Sequence, residues 1–543
     1  MPEENETSPL LRRGSSSTPT PSGSSSSKSA TSTATSDTAE RKPSKGWLFA
    51  RLPSFTTIHS RYRFVPLLGC TLIFTNEAEY FIKQVASMRA LEAMHCYNYY
   101  LELNSPLVEL GKHIPERLCK IDTVQKQLAR SAGLIMFVRM LSAMLGAIPL
   151  GWVADRAGRK VVLVLHKVNV TIACGLWLCL YLGFPKVPIW TLYLSGLPGV
   201  IGGNFDVGLS MLFASYTDVM PVATERASLF FLTTSMQYLA QTFSPSIGAF
   251  LMNLDGKGGT PQVNLAVSFA IAVLTALITI FLFPETVGES RKHAASLAQQ
   301  STSPSSSSPT IAPDDPKLNP PSTSTPLFGL GLPNLILLFT SIFVAATGIK
   351  SIDFFGLIQY PVIKFAWTFP QASYIVATQG FLMLLHFSLL LPLLNTLAAR
   401  WLRSTAAGHF AIMLASAAIL ALGSVVIGAS DSGPVFVGGV VVYLFGEGLP
   451  TATQAYIVSL VEKGRVARVM ATLSMASIGG KLVASIAFPE VLAWGLDSGR
   501  RALVGLPFFV AAGLFAVSAG CVGTVGVRVG VGRGRKGKGV EEV

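Results

Sequence analysis

Charged residues are scarce in this chain: Asp, Glu, Lys and Arg together make up 13% of its 543 residues, against roughly a quarter in soluble domains. Half of the residues are hydrophobic, and the mean hydropathy is +0.50. This deficit of charge excludes an ordinary soluble globular domain. It leaves long uncharged apolar stretches, which are typical of membrane helices.

The chain also lacks the short motifs of common enzymes and pumps. It contains no GK(S/T) phosphate-binding loop, no HExxH zinc-binding pair and no GxSxG nucleophile elbow. Cysteine is rare, and four of the six cysteines lie in apolar stretches, where a free thiol acts as a small buried hydrophobe. The other two, Cys96 and Cys119, share a polar segment and either form a disulfide or stay free. We therefore expect no enzyme, no cofactor and no metal site.

Apolar stretches dominate what is present. A hydrocarbon core about 30 Å thick needs about 20 apolar residues per helix. Twelve segments of the chain approach or exceed that length: 64–83, 132–154, 162–183, 188–213, 227–252, 263–283, 333–356, 372–396, 407–428, 434–458, 468–490 and 503–526. The predicted fold class is an all-α polytopic membrane protein with twelve transmembrane helices.

Polar segments divide the chain into domains. Residues 1–60 and 285–331 are rich in Ser, Thr and Pro and bury too little apolar surface to fold, so we expect a disordered N-terminal tail and a disordered linker. Between them lie two predicted six-helix bundles, 61–284 and 332–527. A basic tail, 528–543, follows the last span.

The distribution of Lys and Arg predicts the orientation. Basic residues concentrate in the termini and on the same side as the linker, so we expect both termini in the cytosol. The net charge of +13 is then a topology signal and not a sign of nucleic-acid binding. The N-terminal tail also carries Glu6, Leu10 and Leu11 in the spacing of an acidic dileucine signal, which sorting adaptors recognise. We expect an integral protein of the plasma membrane or of a vacuolar membrane.

One charged decapeptide, 151–160, separates the second and third apolar segments. Its spacing, G-x-x-x-D-R-x-G-R-K, resembles the loop 2–3 signature of the major facilitator superfamily of transporters. The resemblance implies a conformational switch made of six residues: Gly151, Asp155, Arg156, Gly158, Arg159 and Lys160.

Each of these residue types suits such a switch. Gly151 permits close helix approach and Gly158 a tight reversal. Asp155 and Arg159 share a face if the helix continues through them, and the carboxylate is expected to meet the N-terminus of span eleven. An ordinary positive-inside anchor is the alternative.

Charges inside apolar spans cost about 2.5–3.5 kcal/mol each on insertion scales, so those present suggest function. In the superfamily, spans one, four, seven and ten line a central cavity, and intramembrane acids of this chain fall on those spans. Proton-binding or substrate-binding roles are predicted for five residues: Glu77, Arg139, Asp206, Glu447 and Lys481. Arg139 is expected to pair with Glu77 or Glu79. Glu79 and Asp353 lie nearer the outer ends and are expected to be structural.

The resemblance implies a monomeric secondary transporter that moves a small solute by rocker-switch alternating access. The cavity acids favour proton coupling, because a buried carboxylate can take up and release a proton. The resemblance is to fungal members, and both a drug-exporting and a nutrient-importing role remain open. The competing hypotheses are a non-transporting sensor with a transporter fold and an uncoupled facilitator.

Overall fold

The computed structural model describes residues 62–220, 222–254, 260–287, 332–402, 405–460 and 466–529. These residues are mostly helical, and no strand occurs among them. The predicted sorting motif, the tail 1–60, most of the linker 285–331 and most of the tail 528–543 lie outside the described residues.

Twelve helical spans follow one another in the described residues, and they confirm the predicted all-α membrane fold. The first six are α1 (Val65–Glu102), α2 (Asp122–Ala157), α3 (Arg159–Gly183), α4 (Ile189–Val219), α5 (Ala223–Asn253) and α6 (Gln262–Leu282). The second six are α7 (Leu332–Ser351), α8 (Phe369–Leu394), α9 (Thr405–Ala429), α10 (Gly433–Gln454), α11 (Val466–Asp497) and α12 (Leu506–Val529). Ten of the twelve are long and apolar enough to cross a membrane, the exceptions being the more polar α1 and α5.

The first two helices extend well beyond the apolar segments predicted as spans. Span one was expected to end at residue 83 and span two to begin at residue 132, but α1 continues to Glu102 and α2 begins at Asp122. Polar residues mark where a helix leaves the membrane, but the helix itself can continue beyond that point. At 1.5 Å per residue, the 38 residues of α1 extend about 57 Å, well beyond a hydrocarbon core of about 30 Å.

The projecting part of α1 carries a folded cap. Two 3₁₀ segments, Pro106–His113 and Glu116–Cys119, connect α1 to α2, and a disulfide joins Cys96 to Cys119. We call residues 89–125 the cap and this side of the molecule the disulfide end. The opposite side, which holds the turn between α2 and α3, is the loop 2–3 end.

Two of the spans, α4 and α10, are interrupted near their middles, and π-helical turns follow α7 and lie within α8. In α4, Pro198 and the positive φ of Gly203 (+68°) break the helix, which restarts where the Asn204 side chain accepts from the N–H of Val207. After α7, a π-helical turn, Ile352–Gly356, changes the helical phase. In α10 the helix Gly433–Phe445 breaks at Gly446, and a second helical segment begins at Leu449. Interrupted helices suit a site that needs backbone and polar groups within the membrane.

Helix packing repeats six spans later. In the first half α1 packs on α5 and α6, and α3 packs on α6; in the second half α7 packs on α11 and α12, and α9 packs on α12. Two further pairs, α2 with α11 and α5 with α8, join the halves. Glycines permit these crossings: a Cβ at Gly133 would collide with the backbone oxygen of Ser485, and one at Gly380 would lie 2.6 Å from the backbone of Gln241.

Polar contacts also join the halves at the disulfide end. The Arg130 guanidinium donates two hydrogen bonds, of 2.8 and 2.7 Å, to the Glu490 carboxylate, and Lys126 pairs with Asp497. These contacts hold α2 against α11 on this side of the molecule.

The cap adds contacts of its own to the second half. The Glu116 carboxylate accepts from the N–H of Phe369 at 2.9 Å, and Gln359 donates to the backbone oxygen of Gln125 at 2.9 Å. The disulfide end is therefore closed by contacts between the halves.

Candidate functional site

A cavity of about 260 Å³ lies between the halves and is lined by polar side chains from α1, α2, α3, α4, α5, α7 and α11. Four of the five residues predicted for binding line it: Glu77, Arg139, Asp206 and Lys481. The cavity reaches His166 and Asp206 on the side nearer the loop 2–3 end. Four residues singled out from the sequence thus share one cavity, and their role in binding stays a prediction.

The α1 wall of the cavity contains an ion pair that the sequence analysis did not predict. Lys83 lies 2.5 Å from the Glu79 carboxylate and 2.8 Å from the Cys174 sulfur, and Cys174 donates to Glu79 at 2.7 Å. Lys83 stands one helical turn after Glu79, a spacing that favours such a pair. This contact is compatible with the structural role expected for Glu79.

A second lysine, Lys167 of α3, is buried against polar groups of α1. Lys167 of α3 donates to Asn76 at 2.6 Å and is close enough to Glu77 to stabilise its negative charge. Glu77 itself is almost fully buried. The first acid of the cavity thus has its countercharge on α3 and not on α2.

Arg139 does not form the ion pair expected for it with Glu77 or Glu79. Its guanidinium lies 5.5 Å from the centre of the Tyr80 ring and within 3.4 Å of the Met136 sulfur. Glu79 is already paired with Lys83, which leaves the Arg139 side chain directed at the cavity.

Glu447 lies outside the cavity, in a separate polar cluster between α10, the end of α7 and α8. Its carboxyl group is within hydrogen-bonding reach of the Asp353 carboxyl group, and Gln379 donates to Asp353 at 3.1 Å. One oxygen of Glu447 is buried without a hydrogen-bond partner among the described residues. Asp353, expected to be structural, is thus the direct neighbour of a predicted proton-binding acid.

At the loop 2–3 end, Arg159 donates to Asp155 at 2.8 Å, so the two predicted partners do meet. They do not share a continuous helix, because Gly158, with φ +115° and ψ 160°, ends α2 and precedes α3. Gly158 therefore makes the predicted reversal.

A Cβ on Gly151, however, would meet no described atom within 4 Å, so close helix approach is not its role in this structure. The expected contact with span eleven involves residues that are partly outside the described ones.

Glu285 completes this cluster from the end of α6. Its carboxylate accepts from the N–H groups of Arg159 at 3.0 Å and Lys160 at 3.2 Å, the first turn of α3. Unpaired N–H groups and the helix dipole make this a favourable place for an anion. Asp218 lies 3.7 Å from the Arg159 guanidinium and accepts from Thr286 at 3.2 Å. The cluster thus ties α2, α3, α4 and α6 together, and Arg156 lies outside it, stacked on Trp152 at 3.8 Å.

Two related helical halves around a polar cavity are the architecture of many polytopic membrane transporters. Comparisons with known proteins agree. The chain is 24% identical over 475 residues to the MFS efflux pump atnC of Emericella nidulans, covering 86% of this chain and 87% of that one. It is 26% identical over 388 residues to the efflux pump ustT of Aspergillus flavus, with 70% and 73% covered. No protein-family model matches the chain.

Solved structures share the fold. The structure of a D-xylose–proton symporter superposes with a TM-score of 0.54 at 14% identity, covering 85% of this chain and 96% of that one. The human organic anion transporter MFSD10 superposes with a TM-score of 0.52 at 16% identity, with 84% and 99% covered. The chain thus shares its fold with these transporters and is similar over most of its length to fungal proteins named as MFS efflux pumps, in agreement with the resemblance of its loop 2–3 signature.

Proposed function

We propose that this protein is a secondary active transporter that moves a small solute by alternating access of one central site. The observation that carries the proposal is the cavity itself, which lies at the junction of the halves and has ionisable residues of both on its walls. Movement of one half against the other would open such a site to each side in turn. The fungal relatives are named as efflux pumps, which favours export as the direction.

The contacts at the disulfide end support a state closed on that side. Ion pairs of α2 with α11 and the cap contacts to Phe369 and Gln359 would have to separate before the cavity could open there. With the predicted orientation, the present state faces the cytosol, and its cap faces outward. We expect a monomer in the plasma or vacuolar membrane, since one chain supplies the whole cavity.

The pair Asp353 and Glu447 supports proton coupling. Two carboxylates within hydrogen-bonding reach repel one another when both are ionised, so a shared proton stabilises the pair. Lys350 and Lys481, which face the cavity, both act electrostatically on Asp353. A charge change in the cavity would therefore affect the affinity of the pair for its proton.

Flux measurements test this function. With purified protein in liposomes and a panel of metabolites and drugs, we expect solute accumulation that depends on a pH gradient. Glu447→Gln and Asp353→Asn remove the shared proton and are expected to reduce gradient-driven accumulation about fivefold or more. Asp206→Asn tests the exposed acid of the cavity, and Glu102→Gln, at the exposed end of α1, is the matched control.

The outcomes separate the hypotheses. Flux that ignores the gradient in every variant would indicate an uncoupled facilitator. No flux of any solute, with a folded protein that still binds ligands, would favour the non-transporting sensor.

A further inference from the structure

Three cationic side chains face the cavity from three different helices. Arg139 comes from α2 in the first half, and Lys350 and Lys481 come from α7 and α11 in the second half. Arg139 and Lys481 both lie close enough to Lys350 to repel its charge. Cations placed together within a membrane protein are costly unless a countercharge offsets them.

Two of these cations, Arg139 and Lys481, form no ion pair in the part of the chain that the structure describes, and Asp353 acts on Lys481 only from outside the cavity lining. Arg139 contacts the Tyr80 ring and the Met136 sulfur, both weak partners for a guanidinium, and neither Arg139 nor Lys481 takes part in an ion pair. Lys83 in the same cavity differs, because Glu79 and Cys174 hold it. The guanidinium and ammonium groups are thus available to a bound molecule.

The acids of the cavity lie elsewhere on its wall. Glu77 and Asp206, from α1 and α4, act electrostatically on one another, and Lys167 is the cation that acts on Glu77. The cavity therefore carries its acids on α1 and α4, where Lys83 pairs with Glu79, and its positive side, formed by Arg139, Lys350 and Lys481, on α2, α7 and α11.

We propose that the positive side, Arg139, Lys350 and Lys481, binds a carboxylate group of the transported solute. This inference rests on the proposed transport function, whose substrate class it specifies. The planar guanidinium of Arg139 suits a carboxylate, which it can bind through two parallel hydrogen bonds. The volume of about 260 Å³ suits a small organic acid.

The placement of the cations also relates binding to movement. Because Arg139 belongs to one half and Lys350 and Lys481 to the other, their repulsion opposes close approach of the halves around an empty site. A bound carboxylate removes that repulsion and attracts both halves. Substrate therefore favours the occluded state, which a transporter must pass through, by binding it more tightly than the open state.

A thermal-shift assay on the purified full-length protein tests the carboxylate site. The probes are pairs with one skeleton and different charge: benzoate with benzamide, and succinate with succinamide. We expect at least one carboxylate to raise Tm in a saturable way while its amide does not. Arg139→Gln and Lys481→Gln are each expected to raise its apparent Kd about tenfold or more, since bonds to charged groups are strong. Arg139→Lys should restore part of the affinity, and Lys186→Gln, an exposed lysine between α3 and α4, should leave it unchanged.

Contrary results are equally clear. Amides that stabilise the protein as well as their acids, no shift from either acid, or unchanged affinity in both Gln variants would overturn the carboxylate site. Binding without flux in liposomes would contradict the transport function and leave the site standing. Flux of neutral solutes that is unaffected by benzoate, by succinate or by the two Gln variants would support the transport function and contradict the carboxylate site.

Discussion

Glu285 shows how much one side chain can organise at a helix end. It stands 126 residues after Arg159 in sequence, yet its carboxylate accepts hydrogen bonds from the first turn of α3 and from the N–H groups of Thr286 and Val287. A larger residue at Gly158 would be strained by the positive φ of +115°, and its Cβ would displace the Glu285 carboxylate. The loop 2–3 signature is therefore completed by a residue of α6 that is not part of it.

Removing this anion should destabilise the protein measurably. Loss of a helix N-terminal acceptor costs about 1–2 kcal/mol, so we expect Glu285→Ala to lower Tm. Glu285→Gln, which keeps one acceptor oxygen, should lower it less. Differential scanning fluorimetry in detergent measures both, with the exposed Glu102→Ala as control. Equal Tm values for wild type and Glu285→Ala would show that the bonds to α3 contribute nothing to stability.

At the scale of elements, the cap is the unit that joins α1 to the second half. Glu92, fully buried, pairs with Arg89 at 3.0 Å and Lys120 at 2.8 Å, and accepts from Gln125 at 2.6 Å. A buried carboxylate needs such partners, since an unpaired buried charge is strongly destabilising. The same lysine bridges to Glu116, which reaches α8. Charge pairing and the disulfide thus order a segment that is too polar for the membrane.

Opening the disulfide should loosen this cap. Closing a loop of 23 residues in sequence is worth about 3 kcal/mol through the unfolded state. We expect Cys96→Ser with Cys119→Ser to lower Tm. A reductant should lower the Tm of the wild type and leave that of the double variant unchanged. Cys179→Ser, an exposed thiol on α3, is the control. A wild-type Tm that is insensitive to reductant, with thiol labelling proving the bond open, would contradict this role.

Sequence reasoning worked where hydropathy and local spacing determine the structure. The twelve spans, the reversal at Gly158 and the pairing of Asp155 with Arg159 depend on neighbours in the chain. It did not predict the meeting of Asp353 with Glu447, because α7 changes phase at the π-helical turn and α10 breaks at Gly446. Such changes of helical phase leave no trace in hydrophobic periodicity, which also could not show where α1 ends.

At the scale of the whole molecule, alternating access requires that α2 and α11 separate and meet again at the disulfide end. The two helices approach closely at Gly133, where any side chain would collide with the backbone of Ser485. The polar contacts beside it, between Arg130 and Glu490, form only when the helices touch. The closed state of this end thus depends on a glycine contact between halves.

A larger residue at that crossing should prevent closure. We expect Gly133→Leu to keep the protein folded, by size-exclusion chromatography, and to reduce liposome flux about tenfold or more, since a state raised by 1.4 kcal/mol is populated tenfold less. Gly513→Leu on α12, where a Cβ would meet no described atom within 4 Å, is the matched control. Flux at the wild-type rate in Gly133→Leu would show that transport does not require this contact.

The length of α1 has a consequence for how the protein can be influenced from outside. One continuous helix carries Glu77 and Glu79 in the cavity and Glu92 and Cys96 in the cap. A molecule bound to the cap therefore binds the same helix that lines the cavity, and it would restrict the movement of that helix. An antibody fragment raised against the cap is therefore expected to slow transport without entering the membrane.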